Sequence, residues 1–282
     1  MFLLLDLKYS VRMEHTQAYA RTSMQESSSV ENAGLYEELY GGFAGVGGVG
    51  SRASKPFVSI TGGGGKTTFM IESARYFKEK GLSVLVTTTT KVISPYLLDY
   101  GQDRVFDDES VLSYDPKAGE VVFYAHVSED GNKWCSPGFE NLSCLYGMYD
   151  AVLCEADGSK RLPVKVHTAR DPQIHPLTNV AVGVFGMWAL GCRVKDVVFG
   201  PCPERLADSI VDASFMDWYF SEPEGVLKGL VPGLSGRRIV MFNGGDLGFD
   251  EKTKSMIARI AKPSDVDIYV ASAKEGVLYG RF

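Results

Sequence analysis

Residues 57–68 read FVSITGGGGKTT, an apolar run followed by four glycines, a lysine and two threonines. Phe57–Ile60 is typical of a short buried strand, and the spacing of apolar residues predicts a helix over Thr67–Lys80. Because glycine has no Cβ, the backbone N–H groups between strand and helix can converge on phosphate oxygens at the positive end of the helix. The stretch therefore predicts a phosphate-binding loop.

The match to the motif GxxxxGK[ST] is a variant, because Ile60 stands where the strict pattern has its first glycine. A plain glycine-rich turn is the alternative, but such a turn does not require Lys-Thr-Thr after the glycines. We expect Lys66 to reach the β- and γ-phosphates and the Thr67 hydroxyl to bind Mg²⁺. The predicted phosphate-binding residues are Thr61, Gly62, Gly63, Gly64, Gly65, Lys66, Thr67 and Thr68.

Strand-like and helix-like segments alternate along the rest of the chain. This order predicts an α/β fold of the P-loop NTPase type, with a mostly parallel sheet flanked by helices on both faces. Helices are expected near residues 203–220 and 250–262, and a small β-hairpin insertion at Val121–Val127, before a turn at 130–132. The further predicted strands are Val84–Val86, Ala151–Glu155, Val180–Phe185, Arg238–Phe242 and Asp267–Ala271.

The N-terminal part differs from the rest in composition. Residues 1–55 are rich in serine and glycine and show little periodicity, which predicts a flexible extension before an NTPase domain at 56–282. The run GGFAGVGGVG at 41–50 is an alternative phosphate loop, but no strand precedes it and no Lys-Thr follows it. The first residues lack a basic leader and a cleavage site, so no signal peptide is expected.

Charge and cysteine usage narrow the class of protein. Of 282 residues, 29 are Lys or Arg and 35 are Asp or Glu, a net charge of −6, which disfavours binding to nucleic acid or to an anionic membrane. The most apolar later run, Val180–Cys192, has 13 residues, short of the roughly 20 that a membrane helix needs. The five cysteines form no CxxC pair, which favours a reducing cytoplasm.

Two acidic residues lie at the end of the predicted strand Ala151–Glu155, one as its last residue and one two positions later. An apolar strand that ends in a carboxylate suits a Mg²⁺ site, so Glu155 is predicted to bind the metal together with Thr67. Asp157 is the second candidate, for the metal or for the attacking water, although an ordinary Asp-Gly turn is the alternative. The predicted catalytic residues are Lys66, Glu155 and Asp157.

Threonines end another strand, at Thr87–Thr90. Their hydroxyls either order water around the metal or merely extend a β-branched strand. The loop after Asp157 is basic, which predicts either a contact surface for a partner or a solvated loop; its basic residues are Lys160, Arg161 and Lys165. Candidate transition-metal ligands with uninformative spacing are His167, His175, Cys192 and Cys202.

The last two predicted strands end in motifs that resemble guanine-binding elements. Asn243–Asp246 matches NKxD except that Gly244 replaces the lysine, and Asp246 would accept two hydrogen bonds from guanine, each about 1.5–3 kcal/mol. A backbone N–H of the element Ser272, Ala273 and Lys274 would reach the guanine O6. The cofactors are therefore predicted to be Mg²⁺ with GTP or ATP, GTP being preferred.

In the combination ITGGGGKTT at 60–68, TTTTK at 87–91 and EADGSK at 155–160, the chain resembles the YqeC family of selenium-dependent hydroxylase accessory proteins. The resemblance covers roughly residues 56–250. It departs at Asp171-Pro172, where the family has Glu-Pro, and near Phe199-Gly200, where it has His-Arg. The resemblance implies a role in maturing selenium-containing molybdenum hydroxylases, so a client hydroxylase or its maturation factors are expected partners.

Two other classes of protein remain open. The loop at Gly62–Thr68 is similar to GTxGKTT of the Mur-type ATP-dependent ligases, although no following ligase domain is evident in the sequence. A nucleotide-switched scaffold that hydrolyses almost nothing is the other alternative. A Mg²⁺-dependent NTPase is the preferred hypothesis. Its turnover is expected to be slow unless a partner completes the site, because the sequence identifies no arginine finger in cis.

Overall fold

A mostly parallel sheet lies at the centre of the protein, which a computed structural model describes over residues 33–43, 55–129, 131–231 and 233–282. The strands, in chain order, are β1 (Ala33–Gly34), β2 (Phe57–Gly62), β3 (Val84–Thr88), β4 (Lys91–Ile93), β5 (Arg104–Phe106), β6 (Val121–Tyr124), β7 (His126–Val127), β8 (Lys133–Cys135), β9 (Ala151–Glu155), β10 (Val164–Lys165), β11 (Val180–Gly186), β12 (Val198–Phe199), β13 (Arg237–Asn243), β14 (Val266–Ser272) and β15 (Val277–Arg281). The α-helices are α1 (Leu35–Tyr40), α2 (Lys66–Glu79), α3 (Phe139–Tyr146), α4 (Val194–Val197), α5 (Glu204–Ala207), α6 (Ala213–Ser221) and α7 (Glu251–Ile257).

Ten of the described strands form one sheet in the order β1-β15-β14-β13-β11-β2-β9-β3-β6-β5. Neighbours from β5 to β14 run parallel, whereas β15 is antiparallel to both β14 and β1. The expected mostly parallel sheet is thus confirmed. Because parallel strands end at the same edge, the loops after β2, β9, β13 and β14 lie side by side.

Helices cover both faces of the sheet, as expected. Successive side chains of a strand point to opposite faces. In β11, Val184 packs in the cluster that contains Phe77 of α2, whereas Phe185 packs in the cluster that contains Phe215 of α6. All seven residues of β11 are buried, which accounts for its unbroken apolar sequence.

The β-hairpin insertion is present but shorter than the sequence predicted. β6 pairs parallel with β3 in the main sheet, and its four residues are all buried. Only β7 forms a hairpin, with β8, and β4 adds a third antiparallel strand. The apolar run at Val121–Tyr124 is buried on both faces and so suits a strand inside a parallel sheet better than an exposed hairpin.

The helix expected near 203–220 is two helices, α5 and α6. The break lies at Asp212, whose side chain caps α6 by accepting the Phe215 N–H at 3.1 Å. The helix expected near 250–262 is confirmed as α7, although it ends at Ile257. Among the described residues, no helix combines the length and the apolar composition that crossing a bilayer requires.

Residues 33–43 pack on the main sheet, which differs from a flexible extension over all of 1–55. β1 pairs with β15, and the Tyr36 hydroxyl of α1 donates to the Ala273 carbonyl at 2.6 Å. Leu35, Leu39 and Tyr40 are buried in the core, so this short helix has an apolar face that the composition of the region conceals. The rest of the predicted extension, 1–32 and 44–54, lies outside the described residues and includes most of the alternative glycine loop.

Candidate phosphate and nucleotide site

The loop between β2 and α2 has the conformation that its glycines predict. Gly64 and Gly65 have φ angles of +76° and +111°, a region that side chains disfavour. A Cβ on Gly64 would lie 2.3 Å from the backbone nitrogen of Gly186. The Gly63 N–H donates to the Val184 carbonyl at 2.8 Å. The loop is therefore held in shape by the neighbouring strand β11, with no room for side chains on that side.

Lys66, the first residue of α2, is 5% exposed and turns its ammonium group back into the loop. Its Nζ lies among four oxygens: the Gly62 carbonyl at 2.6 Å, Asp157 Oδ1 at 3.1 Å, Ser159 Oγ at 3.2 Å and Glu155 Oε1 at 3.8 Å. The lysine predicted to bind phosphate and the two predicted acids thus form one buried cluster.

The charges of this cluster shift each other's protonation equilibria. Burial lowers the pKa of Lys66, but Asp157 and Glu155 outweigh it and hold that pKa above its ordinary value. Burial raises the pKa of Glu155, and Asp157 adds to this effect while Lys66 opposes it. Although burial also acts to raise the pKa of Asp157, Lys66 and His167 hold it below its ordinary value. Asp157 is therefore the ionised partner of Lys66, and Glu155 is the more easily protonated acid.

His167, which the sequence offered only as a candidate metal ligand, belongs to the cluster. Its ring is fully buried, with Nε2 3.0 Å from Asp157 Oδ2 and Nδ1 3.0 Å from the Gly225 carbonyl. Asp157 Oδ2 also accepts the Gly62 N–H at 2.8 Å. Each ring nitrogen thus lies within hydrogen-bond distance of one oxygen. Asp157 is thus fixed against the first turn of the glycine loop, and the pair with His167 arises from tertiary packing rather than from sequence spacing.

Thr67 and Glu155 have the chemistry of a Mg²⁺ site. The Thr67 hydroxyl lies 3.5 Å from Glu155 Oε2, beside the loop, and Mg²⁺ prefers such oxygen ligands together with water and phosphate oxygens. These two residues therefore fit an ion shared with a nucleotide. Over the described ranges, no group of three or more His, Cys, Asp or Glu side chains is placed to hold a metal by itself. The four transition-metal candidates, His167, His175, Cys192 and Cys202, therefore form no such site.

The threonine run stabilises the sheet edge. The hydroxyls of Thr87, Thr88 and Thr89 donate to the carbonyls of Tyr124, Glu155 and Gln173 at 2.7, 2.8 and 2.5 Å. Three of the four hydroxyls thus tie β3 to β6, to β9 and to a neighbouring loop. These three hydrogen bonds favour the structural alternative for the run, in which the threonines extend and link the strands.

The two motifs expected to bind guanine are neighbours, because β13 and β14 pair with Asn243 opposite Ala271. Asn243 braces the phosphate loop: its Nδ2 donates to the Gly64 carbonyl at 2.9 Å, and its Oδ1 accepts the Ala273 N–H at 2.9 Å. This amide connects the glycine loop to the end of β14. The same contact occupies the Ala273 N–H, one of the donors considered for guanine.

The other residues of these motifs differ in exposure. Asp246 and Lys274 are exposed, so their charged groups are accessible to a ligand. Ser272 is 2% exposed, and its Oγ accepts the Glu275 N–H at 3.4 Å. Asn243 and Ser272 therefore shape the edge of the sheet, whereas Asp246 is the exposed carboxylate beside it.

The basic loop does not form one continuous surface. Lys165 is 1% exposed, forms an ion pair with Asp171 and lies with its Nζ 4.6 Å from the centre of the Phe199 ring. Lys160 lies over the same ring at 5.2 Å. Arg161 is exposed and has a φ angle of +65°. Lys165 thus has a structural role, and only Lys160 and Arg161 present charge to solvent.

Comparison with known proteins identifies the family. The family described as "YqeC protein" matches residues 58–202, about half of the chain, so the chain belongs to the YqeC family. The chain is similar to a protein named "Uncharacterized protein YqeC" from Escherichia coli (strain K12), with 25% identity over 205 residues that cover 69% of this chain and 78% of that protein. No solved structure matches the chain. The matched region contains the glycine loop, the acidic cluster and His167.

Proposed function

We propose that this member of the YqeC family is a Mg²⁺-dependent nucleoside triphosphatase, with GTP preferred over ATP, that serves the maturation of selenium-dependent molybdenum hydroxylases. One observation carries the nucleotide part of the proposal. The ammonium group of Lys66 lies inside a glycine loop at the start of a helix, 3.1 Å from Asp157 and 3.8 Å from Glu155. A lysine ammonium at the start of a helix, beside a glycine loop and two acids at a sheet edge, suits a metal-bound triphosphate.

Each residue of the cluster has its own proposed role in phosphoryl transfer. Lys66 and the N–H groups of the glycine loop beyond Gly63 would hold the β- and γ-phosphates, because the Gly62 and Gly63 N–H groups already donate within the protein. Thr67 and Glu155 would hold Mg²⁺. When bound, Mg²⁺ would neutralise the charge that develops on the transferred phosphoryl group. Asp157 accepts from Gly62 and lies against Lys66, which favours a role in positioning the lysine over a role as base toward water.

The position of Asp246 supports the proposed preference for guanine. Asp246 lies after β13, exposed, at the same edge as the glycine loop. A carboxylate there is able to accept the two N–H groups that guanine offers and adenine lacks in that arrangement. The accessory role and the client enzyme rest on the family resemblance, and the matched relative carries no functional name.

The test is release of inorganic phosphate from Mg²⁺-GTP and Mg²⁺-ATP. We expect slow turnover of GTP by the wild type and a loss of at least about tenfold in Thr67→Ala, because the hydroxyl is a proposed metal ligand. Thr253→Ala is the control, since Thr253 lies in the first turn of α7, another helix of the same protein, and should leave turnover unchanged. Asp246→Ala should reduce the ratio of GTP to ATP turnover.

Equal turnover in Thr67→Ala and wild type would refute the assignment of the metal site. Turnover that requires an added amine and carboxylate would identify a ligase instead. Nucleotide binding without measurable phosphate release would identify a nucleotide-switched scaffold.

A further inference from the structure

Trp188 is an aromatic residue at the sheet edge that the proposed chemistry does not use. It lies in the 3-10 turn Met187–Ala189, which directly follows β11. Its neighbours Met187 and Ala189 are 6% and 0% exposed, whereas Trp188 is 36% exposed. The turn is therefore anchored by its flanking residues and presents the indole to solvent.

The indole lies between the glycine loop and the edge motif that contains Asp246. A Cβ on Gly186 would lie 2.8 Å from Cζ2 of Trp188, and a Cβ on Gly244 would lie 3.2 Å from its Cε3. Gly186 is also the residue whose backbone nitrogen closes the space around Gly64 of the loop. The indole thus packs between the buried Gly186, which bounds the glycine loop at Gly64, and the buried Gly244.

Gly244 is the residue of the Asn243–Asp246 motif against which the indole packs. It stands where the NKxD pattern has a lysine, whose alkyl chain would pack over a base. Here Gly244 has a φ angle of +96° and no side chain, and the six-membered ring of Trp188 lies against it. The apolar surface that the missing lysine would supply is therefore supplied by an aromatic ring from the preceding strand end.

We propose that Trp188 is the stacking platform for the base of the bound nucleotide. This inference rests on the proposed function, because it needs the triphosphate to lie in the glycine loop. The phosphates would occupy the loop, and the base would lie on the exposed part of the indole, with Asp246 exposed at the neighbouring 3-10 turn Gly245–Leu247. Stacking uses the π-face of the base and so adds affinity that a bare triphosphate chain cannot gain.

The test compares the affinity of GTP, ATP and inorganic tripolyphosphate, each with Mg²⁺, for wild type, Trp188→Ala and Trp188→Phe. Loss of a stacking ring typically weakens binding by about 5- to 150-fold. We expect Trp188→Ala to lose affinity for both nucleotides by such a factor, to bind tripolyphosphate as the wild type does, and to be rescued in large part by Trp188→Phe. Tyr96→Ala is the control for an exposed aromatic residue, since Tyr96 is 76% exposed and packs on Trp134 of β8, outside the main sheet.

The outcomes separate the two proposals. Equal loss of nucleotide and tripolyphosphate in Trp188→Ala, or no loss of either, would overturn the stacking role and leave the phosphate site standing. Failure of the wild type to bind any of the three ligands would overturn both. Intrinsic fluorescence gives an independent readout, because nucleotide should quench the wild type and not Trp188→Phe, whereas unchanged quenching in Trp188→Phe would contradict the proposal.

Discussion

Replacing Lys66 with methionine removes the cation that lies between two buried acids. At an effective dielectric constant of about 20, an ammonium group 3.1 Å from Asp157 and 3.8 Å from Glu155 gains about 5 and about 4 kcal/mol of Coulomb attraction. Desolvation of the three buried groups offsets most of this gain. Removing one partner of a buried ion pair costs about 3–5 kcal/mol, so Lys66→Met should lower the free energy of unfolding by that amount near neutral pH.

The loss should depend on pH with a definite sign. Burial already raises the pKa of Glu155, and without Lys66 the pKa of Asp157 loses its main counter-charge. A carboxyl group whose pKa is higher in the folded than in the unfolded state binds more protons when folded, so stability falls as pH rises through the interval between the two values. The loss of unfolding free energy caused by Lys66→Met should therefore be smaller at about pH 5 than at about pH 8.

Urea denaturation followed by circular dichroism at the two pH values measures this difference. Lys78→Met is the matched control, because Lys78 lies on the same helix and pairs with Asp103 at 2.5 Å with both side chains 40% exposed. A surface pair of this kind contributes about 0–1 kcal/mol. Equal losses in the two variants, or a Lys66→Met deficit that does not shrink at the lower pH, would refute the buried cluster.

Three further experiments test the geometry away from Lys66. Gly64→Ala should lower the free energy of unfolding by about 2–5 kcal/mol, because the new Cβ would meet the Gly186 backbone at 2.3 Å and the residue has a positive φ angle; a urea midpoint close to wild type would contradict the loop conformation. Arg161→Gly should raise the free energy of unfolding by about 0.5–1 kcal/mol, since glycine adopts the φ angle of +65° without steric cost; a lower midpoint would argue against that conformation. Burial raises the pKa of the Cys154 thiol to about 12, so iodoacetamide near pH 8 should alkylate the exposed Cys144 in the native protein and spare Cys154; mass spectrometry that finds both modified at the same rate would contradict the burial of β9.

The main strands and the glycine loop could be predicted from the sequence because each depends on local signals. The buried apolar run of β2, the four glycines and the helical periodicity of α2 lie within one continuous segment. The hairpin prediction failed in part because an apolar run such as Val121–Tyr124 carries no sign of its partner, which is β3, more than thirty residues earlier. The break before Asp212 was not predicted, and the structure shows it as the capping residue at the start of α6.

In the site, too, residues placed by local motifs could be predicted, whereas contacts made by long-range packing could not. Lys66, Glu155 and Asp157 were predicted because strand ends and the glycine loop place them by simple topology, and the structure brings them together. The contribution of His167 depends on how the chain returns to the sheet edge, which no short motif records. Asn243 was expected to contact the base, but its amide binds the backbone of the glycine loop. The sequence motif is the same for either role, so the sequence alone could not separate them.

Calorimetric titration of Mg²⁺ with a non-hydrolysable GTP analogue into the intact protein tests the central proposal, that the glycine loop binds a metal-bound triphosphate. We expect one site per chain, at least about tenfold weaker when Mg²⁺ is omitted or Thr67 is replaced by alanine. We expect no change in Thr253→Ala. Absence of binding at millimolar analogue by folded wild-type protein, or binding of equal affinity in Thr67→Ala with and without Mg²⁺, would contradict the proposal.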